Sequence, residues 1–123
     1  MNFIDTHTHL DGEEFNADRN ETMQRAREAG VSHVFIPAID LKSVETVLDT
    51  CRKYPGYAYP MLGLHPEEVR ADWSDVLDQM HEYLKPGHPF IAIGEVGLDY
   101  YWSREFEHEQ LMAFERQVEY VGR

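Results

Sequence analysis

Four short apolar runs alternate with four segments of helical period, and that alternation constrains the fold more than any other feature. The runs occupy residues 2–8, 31–38 (VSHVFIPA), 57–64 (YAYPMLGL) and 90–96 (FIAIGEV). Between and after them come helix-like stretches at residues 19–29, from Asp40 to the Pro55-Gly56 break, at 74–84 and at 104–121. Strands joined by crossovers this short pair in parallel, because each crossover needs a helix. Runs rich in Val, Ile, Leu and aromatics suit a parallel sheet buried on both faces. The expected class is α/β with four βα units, and the pattern alone allows an open doubly wound sheet or part of a barrel.

Local signals punctuate the segments. Asp18 with Glu21 has capping-box spacing at the start of the first helix, and Gly30 suits its end. Asp40 can cap the second helix, whose stripe is Val44, Val47, Leu48 and Cys51. Cys51 in that register reads as helix core rather than nucleophile. Pro60 is awkward in a strand, since it cannot donate to a ladder. The third helix carries Val76, Leu77, Met80, Tyr83 and Leu84 at helical spacing, and the last puts Leu111, Phe114, Val118 and Val121 on one side.

A chain of 123 residues with 42% hydrophobic content can bury one core, so one domain is expected. No apolar run approaches the roughly 20 residues that span a bilayer, and no secretory signal pattern opens the chain. With a single cysteine, these features predict a cytoplasmic protein. The formal charge of −12 argues against non-specific nucleic-acid binding through a basic surface. It remains compatible with phosphate met through bound cations, which supply positive charge locally.

The chemistry-bearing residues collect at strand ends. If the first strand runs on through Ile4-Asp5-Thr6-His7-Thr8-His9, alternation places Asp5, His7 and His9 on one face. Two imidazoles there can share one ion, and a nearby carboxylate can orient them. Glu95 ends the stripe Ile91, Ile93, and a carboxylate at the end of an apolar stripe needs a partner. His65, before Pro66, can bind metal, touch a substrate oxygen or simply occupy a turn. His7, His9, His65 and Glu95 all follow strands, at the edge where parallel α/β folds build active sites. That grouping favours a metal site over scattered surface polarity. Asp99-Tyr100-Tyr101-Trp102 offers a stacking surface for a base or a lid over substrate beside that edge, or else a cover for the end of the core. His33, His81, His88 and His108 read as structural or solvated.

IDTHTHLD (residues 4–11), GLHP (63–66) and GEVGLDYYW (94–102), in this order and spacing, resemble the TatD family of metal-dependent deoxyribonucleases. The resemblance implies a TIM-barrel hydrolase of the amidohydrolase superfamily, with a two-metal site at the strand C-termini. It implies that His7 and His9 bind one metal, that Glu95 bridges both, and that His65, Asp99 and Tyr100 face the substrate phosphate. Nucleic acid is the implied substrate, and the implied reaction is phosphodiester hydrolysis by metal-activated water. Mixed imidazole and carboxylate ligands suit Zn, Mn, Co or Mg alike.

A full (β/α)₈ barrel takes about 250 residues, so these 123 correspond to an N-terminal half, truncated before strand five. The family's later ligands, two histidines and an aspartate expected as general base, have no counterpart here. The sequence stops at Gly122-Arg123, where the last helix should turn into a fifth strand. Two alternatives follow. One is a non-catalytic metal-binding half barrel that associates with itself or a partner, because its edges and inner face would be open. The other is an amidohydrolase-type enzyme acting on an amide or ester.

Overall fold

The computed structural model describes residues 2–121, and the expected exit into a fifth strand at Gly122-Arg123 lies outside them. Four parallel strands, β1 (Phe3–Asp5), β2 (Val31–Pro37), β3 (Ala58–Leu62) and β4 (Ala92–Ile93), form one sheet in the order β1-β2-β3-β4. The crossovers are α1 (Arg19–Glu28), α2 (Leu41–Lys53) and α3 (Trp73–His81), and α4 (Glu107–Tyr120) follows β4. Sequential order with every pairing parallel is the pattern of a barrel wall, not of a doubly wound sheet, whose order reverses at a switch point.

The core lies between the sheet and the helices. Val34, Ile36, Ala58 and Leu62 face Val44, Val47, Leu48, Leu77 and Met80, all buried. Helix α2 forms as its sequence predicts. Asp40 accepts from the Ser43 N–H at 2.8 Å, and the Ser43 hydroxyl accepts from the Asp40 N–H at 3.0 Å, closing a capping box. Helix α1 differs, because Asp18 caps it with no side-chain hydrogen bond. Pro60 does sit in β3. Its carbonyl accepts from the Ile91 N–H on the β4 side, where ladder pairing begins only at Met61 and Ala92, so its missing donor falls at the ragged start of that pairing.

Two expectations need correction. Strand β1 stops at Asp5, because the Asp5 carboxylate accepts the His7 backbone N–H at 3.1 Å and bends the chain. Asp5 therefore shapes the backbone and orients neither imidazole. Most of the apolar side of α4 turns away from the core: Leu111, Val118 and Val121 are exposed and Phe114 is half-buried, while Gln110, Ala113 and Gln117 are buried. The two glutamines are held there by hydrogen bonds to backbone groups of Leu64, Asp99 and Ala113.

The inner face of the sheet is open as well. Ile4, His33, Phe35, Tyr59 and Ile91 line a shallow apolar hollow of about 290 Å³. Among the described residues, no helix is long and apolar enough to cross a membrane.

Candidate metal centre

His7 and His9 follow β1 in irregular backbone, tied to β2 by the Thr8 N–H donating to the Phe35 carbonyl at 3.1 Å. Their rings meet edge to face, with the two Nε2 atoms 3.2 Å apart. Glu95 follows β4, its N–H donating to the Ala38 carbonyl at 3.2 Å, past the end of β2. Its Oε2 lies 3.2 Å from His7 Nε2 and 3.5 Å from His9 Nε2. The other oxygen, Oε1, lies 3.0 Å from His65 Nε2. So one carboxylate divides its two oxygens between the His7–His9 pair and His65.

Glycine at residue 63 makes this convergence possible. A Cβ there would come within 2.6 Å of the Gly94 carbonyl carbon and 2.8 Å of the Glu95 nitrogen. Without that close approach, the ends of β3 and β4 could not bring His65 and Glu95 together.

The donor set fits a divalent ion. Tetrahedral coordination with bonds of about 2.0–2.1 Å separates ligand atoms by about 3.3–3.4 Å. The three mutual separations here, 3.2, 3.2 and 3.5 Å, bracket that value. Among the described residues, Glu95 Oε2 is also buried and has no hydrogen-bond partner. A buried carboxylate oxygen in that condition calls for a proton or a cation. The two Nε2 atoms converge on the same point as Glu95 Oε2, and an unprotonated imidazole nitrogen there offers its lone pair to a cation.

His65 sits differently. Its Nδ1 accepts the Glu67 backbone N–H at 3.0 Å, so the neutral ring carries its proton on Nε2, the atom facing Glu95. A cleft of about 330 Å³ opens beside these groups, walled by His9, Asp11, His65, Glu67, Glu68 and Glu95. Burial pushes the Asp11 carboxyl above the ordinary aspartate range.

Asp99 and Tyr100 stand apart from this cluster. Asp99 lines a second cleft of about 240 Å³ with Arg70, Trp102 and Phe106, and Glu67 is common to both clefts. Its carboxylate accepts the Tyr101 N–H at 3.0 Å, and the Arg104 guanidinium lies 4.8 Å from the Tyr100 ring centre. The loop does not cover the core: Tyr101 is 82% and Trp102 74% exposed. Of the remaining histidines, His81 stacks on Tyr120 and His33 meets Tyr59 on the inner sheet face.

Sequence reading gives no role to Arg19, Gln110 or Gln117, which hold the site loops. Arg19 donates to the carbonyls of Leu10, Asp11 and Gly12, at 2.6, 3.2 and 2.8 Å, just after His9. The signal for the glutamines is their seven-residue spacing around Ala113, a narrow stripe about a quarter-turn from the apolar one.

The family model described as TatD related DNase matches residues 4–121. The chain belongs to the TatD family. It is 34% identical over 117 residues to the uncharacterized metal-dependent hydrolase YjjV of Escherichia coli K12, covering 93% of this chain and 44% of that protein. It is 28% identical to the 3'-5' ssDNA/RNA exonuclease TatD of Pectobacterium carotovorum, covering 94% of this chain and 44% of that one. The crystal structure of E. coli YjjV, a TatD homologue, superposes with a TM-score of 0.83 at 30% identity, over 95% of this chain and 45% of that structure. The chain thus spans a little under half the length of these TatD relatives, and its four strands form a half barrel matching their TIM-barrel fold.

Proposed function

We propose that this chain supplies the His7–His9–Glu95 half of a TatD-type metal site that hydrolyses phosphodiester bonds in nucleic acid. The observation that carries the reading is the convergence of two imidazole nitrogens on a buried carboxylate oxygen that no hydrogen bond satisfies. His7, His9 and Glu95 Oε2 would hold one divalent ion, and Glu95 Oε1 faces the neighbouring position beside His65. A divalent ion at such a site activates water near neutral pH and neutralises phosphate charge.

The chain's own groups account for the rest. The acidic cleft wall of Asp11, Glu67 and Glu68 repels a bare phosphate, so binding there depends on cations held by the protein. His65, with its proton on Nε2, is the kind of donor that a non-bridging phosphate oxygen accepts. Asp99 and Tyr100, across Glu67, lie where the flanking nucleotide would run. The open inner sheet face and the outward stripe of α4 support completion of the barrel by further βα units, from more chain or another molecule.

The test is hydrolysis of bis(p-nitrophenyl) phosphate and a single-stranded oligonucleotide by the purified chain, with Mn, Zn, Co and Mg added singly and Glu95→Ala as control. Metal-dependent turnover that disappears in Glu95→Ala supports the reading. Turnover of amide or ester substrates in place of phosphodiesters would move the site to a different hydrolase class. Absence of all turnover, with metal still bound through His7 and His9, would leave a binding half barrel.

A further inference from the structure

Two buried glutamines on α4 grip the two loops assigned above to substrate. Gln117, 2% exposed, accepts the Leu64 N–H through Oε1 at 2.8 Å, and its Nε2 donates to the Leu64 carbonyl at 3.4 Å and the Ala113 carbonyl at 3.2 Å. Gln110 repeats the pattern two turns earlier. Its Oε1 accepts the Asp99 N–H at 2.9 Å and its Nε2 donates to the Asp99 carbonyl at 2.9 Å. The carboxamide orientations follow from the partners, since a backbone N–H only donates and a carbonyl only accepts.

We propose that Gln117 and Gln110 are positioning residues that set His65 and Asp99 relative to each other along one rigid helix. Leu64 lies beyond the end of β3, where ladder pairing has run out, and Asp99 lies beyond β4. At each place a glutamine takes both backbone groups of one residue, as a neighbouring strand would. His65 is then fixed on two sides, by Gln117 on the preceding residue and by its own N–H donating to the Ile39 carbonyl at 2.8 Å. Seven residues of helix separate the two grips by about 10 Å along the axis. Burial of a carboxamide is unfavourable unless its polar atoms are met. Here α4 buries both carboxamides with their polar atoms met by backbone groups, while Leu111 and Val118 stay exposed. That His65 and Asp99 meet substrate rests on the function proposed above; the grip itself does not.

The experiment uses the 123-residue chain with Gln117→Met and Gln110→Met, which keep volume and remove the hydrogen bonds. Gln117→Glu and Gln110→Glu, whose carboxyl is kept protonated by burial, retain an acceptor for the N–H and a donor for the carbonyl. Amide exchange is followed by NMR. We expect exchange at Leu64 to speed by about tenfold or more in Gln117→Met, and at Asp99 in Gln110→Met, with the Val44 and Val47 amides unchanged. Each glutamate variant should return its own site towards wild type, and this arm decides the matter if a methionine variant does not fold. The His65 ring resonances should shift in Gln117→Met alone. Inorganic phosphate binding to the zinc-loaded chain should weaken about tenfold in Gln117→Met while zinc affinity holds. Unchanged exchange at Leu64 and Asp99, acceleration spread evenly over the core, or parallel loss of zinc affinity would overturn the proposal. Wild-type protein that binds zinc yet hydrolyses no phosphodiester would remove the proposed function and leave the exchange result standing.

Discussion

Glu95 Oε2 and His7 Nε2 stand 3.2 Å apart, yet the oxygen is buried with no hydrogen-bond partner. An unprotonated imidazole nitrogen and a carboxylate oxygen each offer a lone pair, so a proton or a cation between them makes the contact favourable. Glu95→Gln keeps the shape and removes the charge, so zinc or manganese affinity should fall by at least about 10–100-fold, the loss that removal of even a supporting partner brings. Ligand linkage supplies a second reading of the same event. Metal at about 100 times its dissociation constant should stabilise the wild-type chain by about 2.7 kcal/mol and raise its melting temperature. At the same metal concentration the Glu95→Gln chain should gain no more than about 1.4 kcal/mol, and an equal rise would remove Glu95 from the ligand set.

Gly63 sets the distance between His65 and Glu95. A methyl group there would press on the Gly94 and Glu95 backbone at 2.6–2.8 Å, atoms with no flexible end to give way. Gly63→Ala should cost about 1–3 kcal/mol in urea unfolding, the range for overpacking. Metal affinity should fall with it, because the strand ends that carry the ligands are forced apart. Full stability with lost metal binding is the outcome that would separate a local shift of Glu95 from general strain.

These residues also show what a sequence discloses and what it withholds. Capping at Asp40, the stripe through Cys51 and the apolar runs of β2 and β3 are local signals, and the structure follows them. The clustering of His7, His9 and Glu95 was legible because each follows a strand, although the bend at Asp5 breaks the alternation expected to align the histidines. The face of α4 was not legible. The face it buries carries Gln110 and Gln117, whose backbone partners lie 11 and 53 residues away, and periodicity carries no record of such pairings. Gly63 is similar, since its need for no side chain arises from a segment some thirty residues further along.

The outward stripe of α4 has a consequence for the chain by itself. Val118 is 51% exposed, so Val118→Lys should alter unfolding free energy by no more than about 0.5 kcal/mol, as surface substitutions do. Leu77, fully buried, should cost about 2–5 kcal/mol on replacement by Ala. If this stripe is covered by another molecule, Val118→Lys should also shift sedimentation towards the monomer without touching stability. Sedimentation identical to wild type, with wild type already monomeric, would assign the stripe to no self-association.

Cys51 gives the pH dependence of stability a definite sign. Burial, helped by the charge of Asp11, pushes its thiol from 9.0 up to about 12. Between those values the folded chain keeps the proton and the unfolded chain releases it, so unfolding is favoured as pH rises. The contribution is complete below pH 9 and erodes above it, at up to about 1.4 kcal/mol per pH unit. Tyr57, Tyr83 and Tyr120 are also raised and slope the same way, so the useful quantity is a difference between two proteins. Cys51→Ala should be less stable than wild type at pH 7 through its lost packing. That gap should narrow between pH 9 and 11, where only the wild type has a thiol to ionise on unfolding. A disulfide reagent at pH 8 should label Cys51 only at the rate at which the core opens. Rapid labelling of the native chain, or a gap that stays constant with pH, would place this sulfur in water rather than against Val47 and Leu48.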